Sequence, residues 1–203
     1  MTHNVLDSEF EHLGPGSQHE QRPPYILVPT TGQSYKNIPR MLEAFSTYRC
    51  LGGRARLVVT TEQPPSTGLP RVRHIERDIA WGPLDRQSLL RAMAFSSVTV
   101  LPSLVEASPV TVLEAAALSP RVCLSRIDAH EGILAYNHVR LNDNFSLFDP
   151  MDPESIAESL LQTEHATADL GDRGPISTQG GRESLRRNWG DSVARHLARL
   201  GDG

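Results

Sequence analysis

The chain has 203 residues, 38% hydrophobic and 22% charged, which is the composition of an ordinary globular protein. Its net charge of -4 gives no electrostatic basis for binding nucleic acid or an anionic membrane. No apolar stretch approaches the roughly 18 residues of a membrane span, and the first residues lack the basic start and apolar run of a signal peptide. We therefore expect a cytoplasmic protein with no membrane span and no nucleic-acid partner.

The first part of the chain is polar and differs from the rest. Residues 1–24 are rich in His, Glu, Gly and Pro and predict a tail or linker. From residue 25 to 203 the sequence predicts one domain, in which short apolar runs alternate with helical patterns. The apolar runs predict buried strands at 25–29, 55–60, 98–102 and 121–125.

Helix signals lie between these runs. Asn37 is the expected N-cap of a helix with apolar residues spaced at i, i+3, i+4 and i+7, and Asp85 is the expected cap of a second helix that extends to Phe95. Asp152 and Pro153 occupy the cap and first positions of a later helix. Beyond it we predict a loop over 163–181 and a closing helix over 183–200.

This alternation of apolar strands and amphipathic helices predicts an α/β fold with a doubly wound parallel sheet and helices on both faces. Sheets of this kind bind ligands at the carboxyl ends of their strands, where the following loops and helix N-termini gather. The residues just after each predicted strand are therefore the candidates for a functional site.

After the strand at 98–102, two glutamates stand eight residues apart in the segment "PSLVEASPVTVLEAAALS". In a continuous helix, eight residues at about 100° each would leave Glu106 and Glu114 about 80° apart. Ser108 followed by Pro109 predicts a helix start, with serine as the cap and proline at the first helical position. Glu106 then belongs to the loop and Glu114 to the second helical turn.

A helix start of this kind is suited to a phosphate, because its free N–H groups and the helix dipole favour an anion. Glu114 lies about 7–8 Å along the helix axis from Pro109 at 1.5 Å per residue. That is about the reach from a diphosphate to the ribose of the same nucleotide, from whose two hydroxyls a carboxylate can accept hydrogen bonds. The alternative interpretation is a pair of exposed glutamates around an ordinary helix cap.

Lys36 is a second candidate. Of the 20 basic residues it is the single lysine, and it follows the loop "TTGQSY" immediately before a predicted helix. An ammonium group is well placed there for an anion. Gly32 in the same loop allows a ligand to approach the backbone closely.

Together these segments resemble the C-terminal, nucleotide-sugar-binding half of retaining GT-B glycosyltransferases of family 4. The resemblance runs along the chain in order: "YILVPTTGQSYKNIPRMLEAF" is similar to the family's strand, phosphate loop and lysine-bearing helix, and "RLVVT" to its second strand. The segment from "IAWGPL" through "VEASPVTVLEAAALS" is similar to the one carrying the family's Glu-x7-Glu motif. "LFDPMDPESIAESLL" and "RRNWGDSVARHL" resemble the strand, loop and helices that come after it.

The resemblance implies a Rossmann-like fold and transfer of a hexose from a nucleoside-diphosphate sugar with retention, without a metal or other cofactor. It assigns the diphosphate to Lys36, the ribose to Glu114 and the donor sugar to Glu106. It further implies phosphate contacts at the turn formed by Ser108, Pro109, Val110 and Thr111 and at Thr31 and Gly32, and a base near Gly82.

The chain departs from this family in two respects. Thr30 and Thr31 stand where the family has a phosphate-loop arginine, and the resemblance covers one of the family's two domains. We therefore expect a donor domain that works with a separate N-terminal acceptor-binding domain or chain, which could also bring it to a membrane surface. Two alternatives remain open: a non-catalytic binding or scaffold domain of the same descent, and a sugar-nucleotide epimerase of GT-B shape.

Overall fold

The computed structural model describes residues 23–62, 76–139, 141 and 143–168, all of which belong to one compact unit, 1–171. The predicted closing helix over 183–200 lies outside these residues. So does the predicted tail, except for Pro23 and Pro24.

The described residues contain six parallel strands in a single sheet, which confirms the predicted α/β class. Their spatial order is β3-β2-β1-β4-β5-β6. The strands are β1 (Tyr25–Val28), β2 (Arg56–Val59), β3 (Ile79–Trp81), β4 (Val98–Leu101), β5 (Val122–Ser125) and β6 (Phe145–Phe148). The order reverses between β1 and β4, so the crevice above these two strands is the topological switch point at which such sheets bind ligands.

Within the described ranges, five α-helices cover the sheet: α1 (Ile38–Cys50), α2 (Arg86–Phe95), α3 (Val110–Leu118), α4 (Asp128–Tyr136) and α5 (Pro153–Ala168). One core cluster packs α1 and α5 against one face of the sheet. Two other clusters pack α2, and α3 with α4, against the opposite face. The fold is therefore a three-layer sandwich in which every loop after a strand opens at the same edge.

Alternation along the strands explains why both faces are covered. In β1, Ile26 and Val28 join the core on the α1 side, whereas Leu27 joins the core on the α2 side. All three side chains are at most 2% exposed. Near-continuous apolar runs of this kind are typical of parallel strands buried on both faces.

The pairing of β1 with β4 is shorter than the others. It joins Ile26 to Val98 and Leu27 to Thr99, whereas β1 pairs with β2 over all four of its residues. The two halves of the sheet thus meet at their shortest pairing, directly below the switch point.

Two helices differ from the sequence prediction. The loop predicted from residue 163 is wrong for its first part, because α5 continues to Ala168. Thr163 is buried on the packed face of this helix, and its hydroxyl donates to the Ser159 carbonyl one turn earlier, so the residue belongs to the core and not to a loop. Helix α4 was not predicted, although Ile127, His130 and Leu134 have a helical spacing.

The start of α1 agrees with the prediction in position but not in mechanism. Asn37 is the residue before the helix, but its backbone is left-handed (φ 58°) and its side chain does not cap the helix. That side chain instead donates to the Pro150 carbonyl at 2.7 Å. Asparagine tolerates the left-handed conformation better than most residues. It therefore ties the loop after β1 to the loop after β6.

Candidate functional site

Lys36 and Glu106 meet across the switch point. Lys36 ends a 3-10 turn, Ser34–Lys36, after β1, and Glu106 lies in the loop after β4. The Lys36 ammonium and a Glu106 carboxylate oxygen are 2.6 Å apart, with side chains 17% and 12% exposed. The ammonium also lies 5.4 Å from the centre of the Tyr35 ring. Two residues 70 positions apart in the sequence thus form an ion pair at the predicted ligand-binding edge of the sheet.

The loop that carries Glu106 is fixed in place by hydrogen bonds. The Leu104 amide donates to the Tyr35 carbonyl at 2.8 Å, and the Ser103 hydroxyl donates to the Glu106 carboxylate at 2.6 Å. Burial alone would raise the pKa of Glu106, but the bonds from Lys36 and Ser103 outweigh it and hold that pKa below its usual value. Glu106 is therefore ionised and oriented toward the lysine.

The loop between β1 and Lys36 has a compact internal network. The Thr60 hydroxyl accepts from the Thr30 amide at 2.8 Å and donates to the Thr30 carbonyl at 3.1 Å. Gly32 has a left-handed backbone (φ 85°), and a Cβ there would lie 2.9 Å from the Thr61 hydroxyl oxygen. Thr31 is exposed and its hydroxyl donates to the Gln33 side chain. The turn therefore requires glycine at position 32. Thr31 remains exposed at the surface of this loop.

Replacing Thr60 by valine is expected to lower the free energy of unfolding by about 2 kcal/mol, because it leaves the amide and carbonyl of buried Thr30 without this partner. Thr60→Ser keeps the hydroxyl and is the matched control. Denaturant unfolding of the two variants measures the difference. Equal stability of Thr60→Val and wild type would show that this loop is not held by the bridge.

The start of α3 corrects the predicted cap. The helix begins at Val110, and Pro109, not Ser108, is the residue before it. Pro109 (φ -80°, ψ 60°) is the centre of an inverse γ-turn, in which the Val110 amide donates to the Ser108 carbonyl at 2.9 Å. The Val112 amide donates to the Pro109 carbonyl. Within the described ranges no acceptor holds the Thr111 amide, which leaves it available to a ligand.

Glu114 lies in the second turn of α3, as predicted, and is buried. Its carboxylate bonds the guanidinium of Arg86; the side chains are 4% and 57% exposed respectively. The hydrogen bond to Glu114 raises the pKa of Arg86. The sequence did not single out this arginine, which is the first residue of α2. Glu114 is buried and Glu106 is half-buried, which excludes the interpretation as two exposed glutamates.

The loop after β3 approaches Glu114 through Arg86. Gly82 comes directly after β3, is buried, and donates its amide to the Val59 carbonyl at 3.2 Å. The Asp85 side chain accepts from the Ser88 amide at 2.9 Å and caps α2, as predicted. In the strand order β3 lies on the same side of β4 as β1, so the loop after β3 reaches Glu114 from the side on which Lys36 also lies.

His130 is a further member of this edge that the sequence reasoning missed. It lies in the first turn of α4 and is 1% exposed, and its Nδ1 donates to the Ser125 carbonyl at 3.0 Å. Burial lowers its pKa, while the Ser125 carbonyl and Glu106 oppose that shift. The histidine is therefore neutral at pH 7. Its spacing with Ile127 and Leu134 is the signal that could have identified it as a buried residue.

This histidine predicts a pH dependence of stability. Its pKa is lower in the folded than in the unfolded state, so the unfolded chain binds the extra proton first as pH falls below about 6.5. We therefore expect the free energy of unfolding to decrease between pH 7.5 and 5.5, and to decrease less in His130→Gln, whose amide can still donate to Ser125.

Denaturant titrations at pH 7.5, 6.5 and 5.5 measure this effect. His165→Gln removes an exposed histidine from α5 and is the control that should behave as the wild type does. An identical pH profile for His130→Gln and wild type would contradict the assignment.

The site therefore has two ion pairs, Lys36–Glu106 and Arg86–Glu114, at one edge of the sheet. Among residues 23–62, 76–139, 141 and 143–168, no three His, Cys, Asp or Glu side chains are grouped so as to hold a metal ion. Within the same ranges no helix is long and apolar enough to cross a bilayer.

No protein-family model matches the chain, and no curated protein sequence matches it. Its structure is similar to the sucrose-phosphate synthase of Thermosynechococcus elongatus, at 20% sequence identity and a TM-score of 0.65, over 89% of this chain and 45% of that one. It is also similar to a UDP-forming α,α-trehalose-phosphate synthase of Burkholderia vietnamiensis, at 16% identity and a TM-score of 0.55, over 87% and 43%.

A third similar structure is the UDP-forming trehalose-phosphate synthase of Burkholderia xenovorans, at 15% identity and a TM-score of 0.55, over 97% of this chain and 49% of that one. The chain thus spans less than half the length of each of these glycosyltransferases. At such low identities the likeness is one of fold, which agrees with the sheet order observed above. The chain therefore has the Rossmann-like α/β fold of one part of a GT-B glycosyltransferase.

Proposed function

We propose that this chain is the donor-binding domain of a retaining hexosyltransferase related to family 4, which uses a nucleoside-diphosphate sugar. The observation that carries the proposal is the Lys36–Glu106 pair, which spans the switch point of the sheet with a 2.6 Å contact. A cation and a carboxylate held there, with exposed loop backbone beside them, are suited to the diphosphate and the sugar hydroxyls of such a donor.

Each side chain has a role in this proposal. An ammonium group has three N–H donors, so Lys36 can keep its bond to Glu106 and still donate to the diphosphate. Glu106 accepts from a hydroxyl of the transferred sugar, and the Thr111 amide, with the backbone of Thr31 and Gly32, completes the phosphate site. Glu114 accepts from the ribose hydroxyls, and the base lies beside Gly82.

In the reaction, the bond between the anomeric carbon and the diphosphate oxygen breaks, the acceptor oxygen bonds to that carbon on the same face, and the proton of the acceptor hydroxyl passes to the departing diphosphate. Negative charge grows on the departing diphosphate, where the Lys36 ammonium stabilises it electrostatically. We propose that this charge stabilisation needs no resident metal. The acceptor would be bound by a separate N-terminal domain or chain, in the cytoplasm or at its membrane surface.

A non-catalytic binding domain is the second candidate. The observation that favours it is the loop at Thr30–Thr31, where the family has an arginine. A threonine hydroxyl brings no charge, and here both hydroxyls bond within the loop, Thr30 to the Gly32 amide and Thr31 to Gln33. Such a domain would keep the fold and bind a nucleotide weakly or not at all.

Isothermal calorimetry of the full chain, shown to be folded by circular dichroism, distinguishes the two candidates. UDP is the first ligand to test because the trehalose-phosphate synthases are named as UDP-forming; GDP and ADP come next. Selective binding of one diphosphate supports a donor site and identifies the base. Absence of binding for all three contradicts the proposal and favours the scaffold.

A further inference from the structure

The charges of the site balance before any donor is bound. In the part of the chain that the structure describes, Glu106 pairs with one cation, Lys36, and Glu114 pairs with one cation, Arg86. A nucleoside diphosphate carries more than one negative charge, so the site must redirect positive charge toward it. The loop at Thr30–Thr31 holds no cation that could do so.

Of these two cations, Arg86 is the more exposed one. Its side chain is 57% exposed, whereas its partner Glu114 is 4% exposed and fixed within α3. It is the first residue of α2, and the helix start is held by Asp85, not by the arginine side chain. The guanidinium has five N–H donors, so one bond to Glu114 leaves others available.

We propose that Arg86 is the second cation of the donor site and exchanges Glu114 for the donor diphosphate when the nucleotide binds. This inference rests on the proposed function. The ribose hydroxyls donate to the Glu114 carboxylate in place of Arg86, and the displaced guanidinium donates to the diphosphate. The diphosphate is within reach because a single methylene group joins it to that ribose. Arg86 thereby supplies the charge that the loop at Thr30–Thr31 lacks, from a different element of the fold.

The exchange predicts different effects on the affinity for a nucleoside diphosphate and on the affinity for the corresponding nucleoside. Removal of the guanidinium should weaken the binding of a nucleoside diphosphate, since a charge-assisted contact is lost. It should not weaken the binding of the corresponding nucleoside, because Glu114 is then free of its competitor. A residue that only positions Glu114 would weaken both ligands when removed, and one that only blocks it would strengthen both.

The test compares wild type, Arg86→Gln, Arg86→Lys and Arg54→Gln, with calorimetry for the diphosphates and NMR shift titration for the nucleosides. Arg54 is exposed and precedes β2, at the opposite edge of the sheet, so its variant removes the same charge far from the site. For Arg86→Gln we expect about 10-fold or greater loss of diphosphate affinity and equal or higher nucleoside affinity. Arg86→Lys should restore part of the diphosphate affinity.

Diphosphate affinity in Arg86→Gln equal to that of Arg54→Gln overturns the exchange while the proposed function stands. Parallel loss of both ligands also overturns it and assigns Arg86 to the positioning of Glu114. Failure of the wild-type chain to bind any diphosphate is a different result: it contradicts the proposed function, and the exchange with it.

Discussion

We expect the Glu114→Ala variant to bind nucleoside diphosphates at least 100-fold more weakly than the wild-type chain. Glu114 is 4% exposed, so bulk water competes little for the hydroxyls that it would hold. Hydrogen bonds to a charged group contribute about 1.5–3 kcal/mol each. Loss of two of them costs about 3 kcal/mol or more, and about 1.4 kcal/mol corresponds to a factor of ten in affinity. Calorimetry with UDP, GDP and ADP measures the change.

The control for this variant is Glu43→Ala, which removes an exposed glutamate from α1. Glu114→Gln is a further variant, with a side chain of about equal volume that keeps one acceptor oxygen. Its affinity for nucleoside diphosphates should lie between those of Glu114→Ala and Glu43→Ala. Arg86 loses its partner in these variants but is exposed, so the fold should persist, as circular dichroism can verify. Unchanged affinity in a folded Glu114→Ala protein would remove Glu114 from the site.

The second large effect is expected from Lys36→Met. Lys36 is the single lysine of the chain and, in the proposed site, the cation that lies nearest the diphosphate. We expect a loss of about 10- to 100-fold in affinity for the diphosphate, since one charge-assisted contact is removed. The corresponding nucleoside should bind as before, because Lys36 does not contact Glu114. Paired titrations of nucleoside and diphosphate give both values.

This variant also tests the ion pair. With Lys36 absent, the Ser103 hydroxyl is the side-chain donor to Glu106 that remains among the described residues, so the pKa of Glu106 should rise from its lowered value. Ionised Glu106 contributes to the free energy of unfolding above about pH 4.3, and this contribution is lost as pH falls through the folded pKa. We expect the contribution to be smaller in Lys36→Met. Arg54→Met controls for the loss of one positive charge. A loss of nucleoside and diphosphate binding together would point to a collapsed site instead of a missing phosphate contact.

Much of this arrangement could be predicted from the sequence because it depends on local patterns. Apolar runs of strand length located β1, β2, β4 and β5, and the rule that ligands bind beyond strand ends directed attention to Lys36 and Glu106. The Asp85 and Asp152 caps are predictable from side-chain chemistry near the helix starts; the Asp152 carboxylate accepts from the Glu154 amide at 2.9 Å.

The features that could not be predicted depend on contacts distant in sequence. The spatial order of the strands places β1 beside β4, and no local pattern specifies that neighbour. Arg86 reaches Glu114 across 28 positions, and many arginines of the chain were equal candidates. The Ser108 cap was wrong for a local reason: the γ-turn at Pro109 uses the serine carbonyl in place of its hydroxyl.

The short pairing of β1 with β4 has a mechanical consequence. Three strands lie on each side of this joint, and the strand pairing across it is two residue pairs long. Above the joint, the Lys36–Glu106 ion pair and the hydrogen bond from the Leu104 amide to the Tyr35 carbonyl connect the two sides. A ligand that contacts residues on both sides adds further contacts across the joint. We therefore expect the two halves of the sheet to move less relative to each other when the ligand is bound.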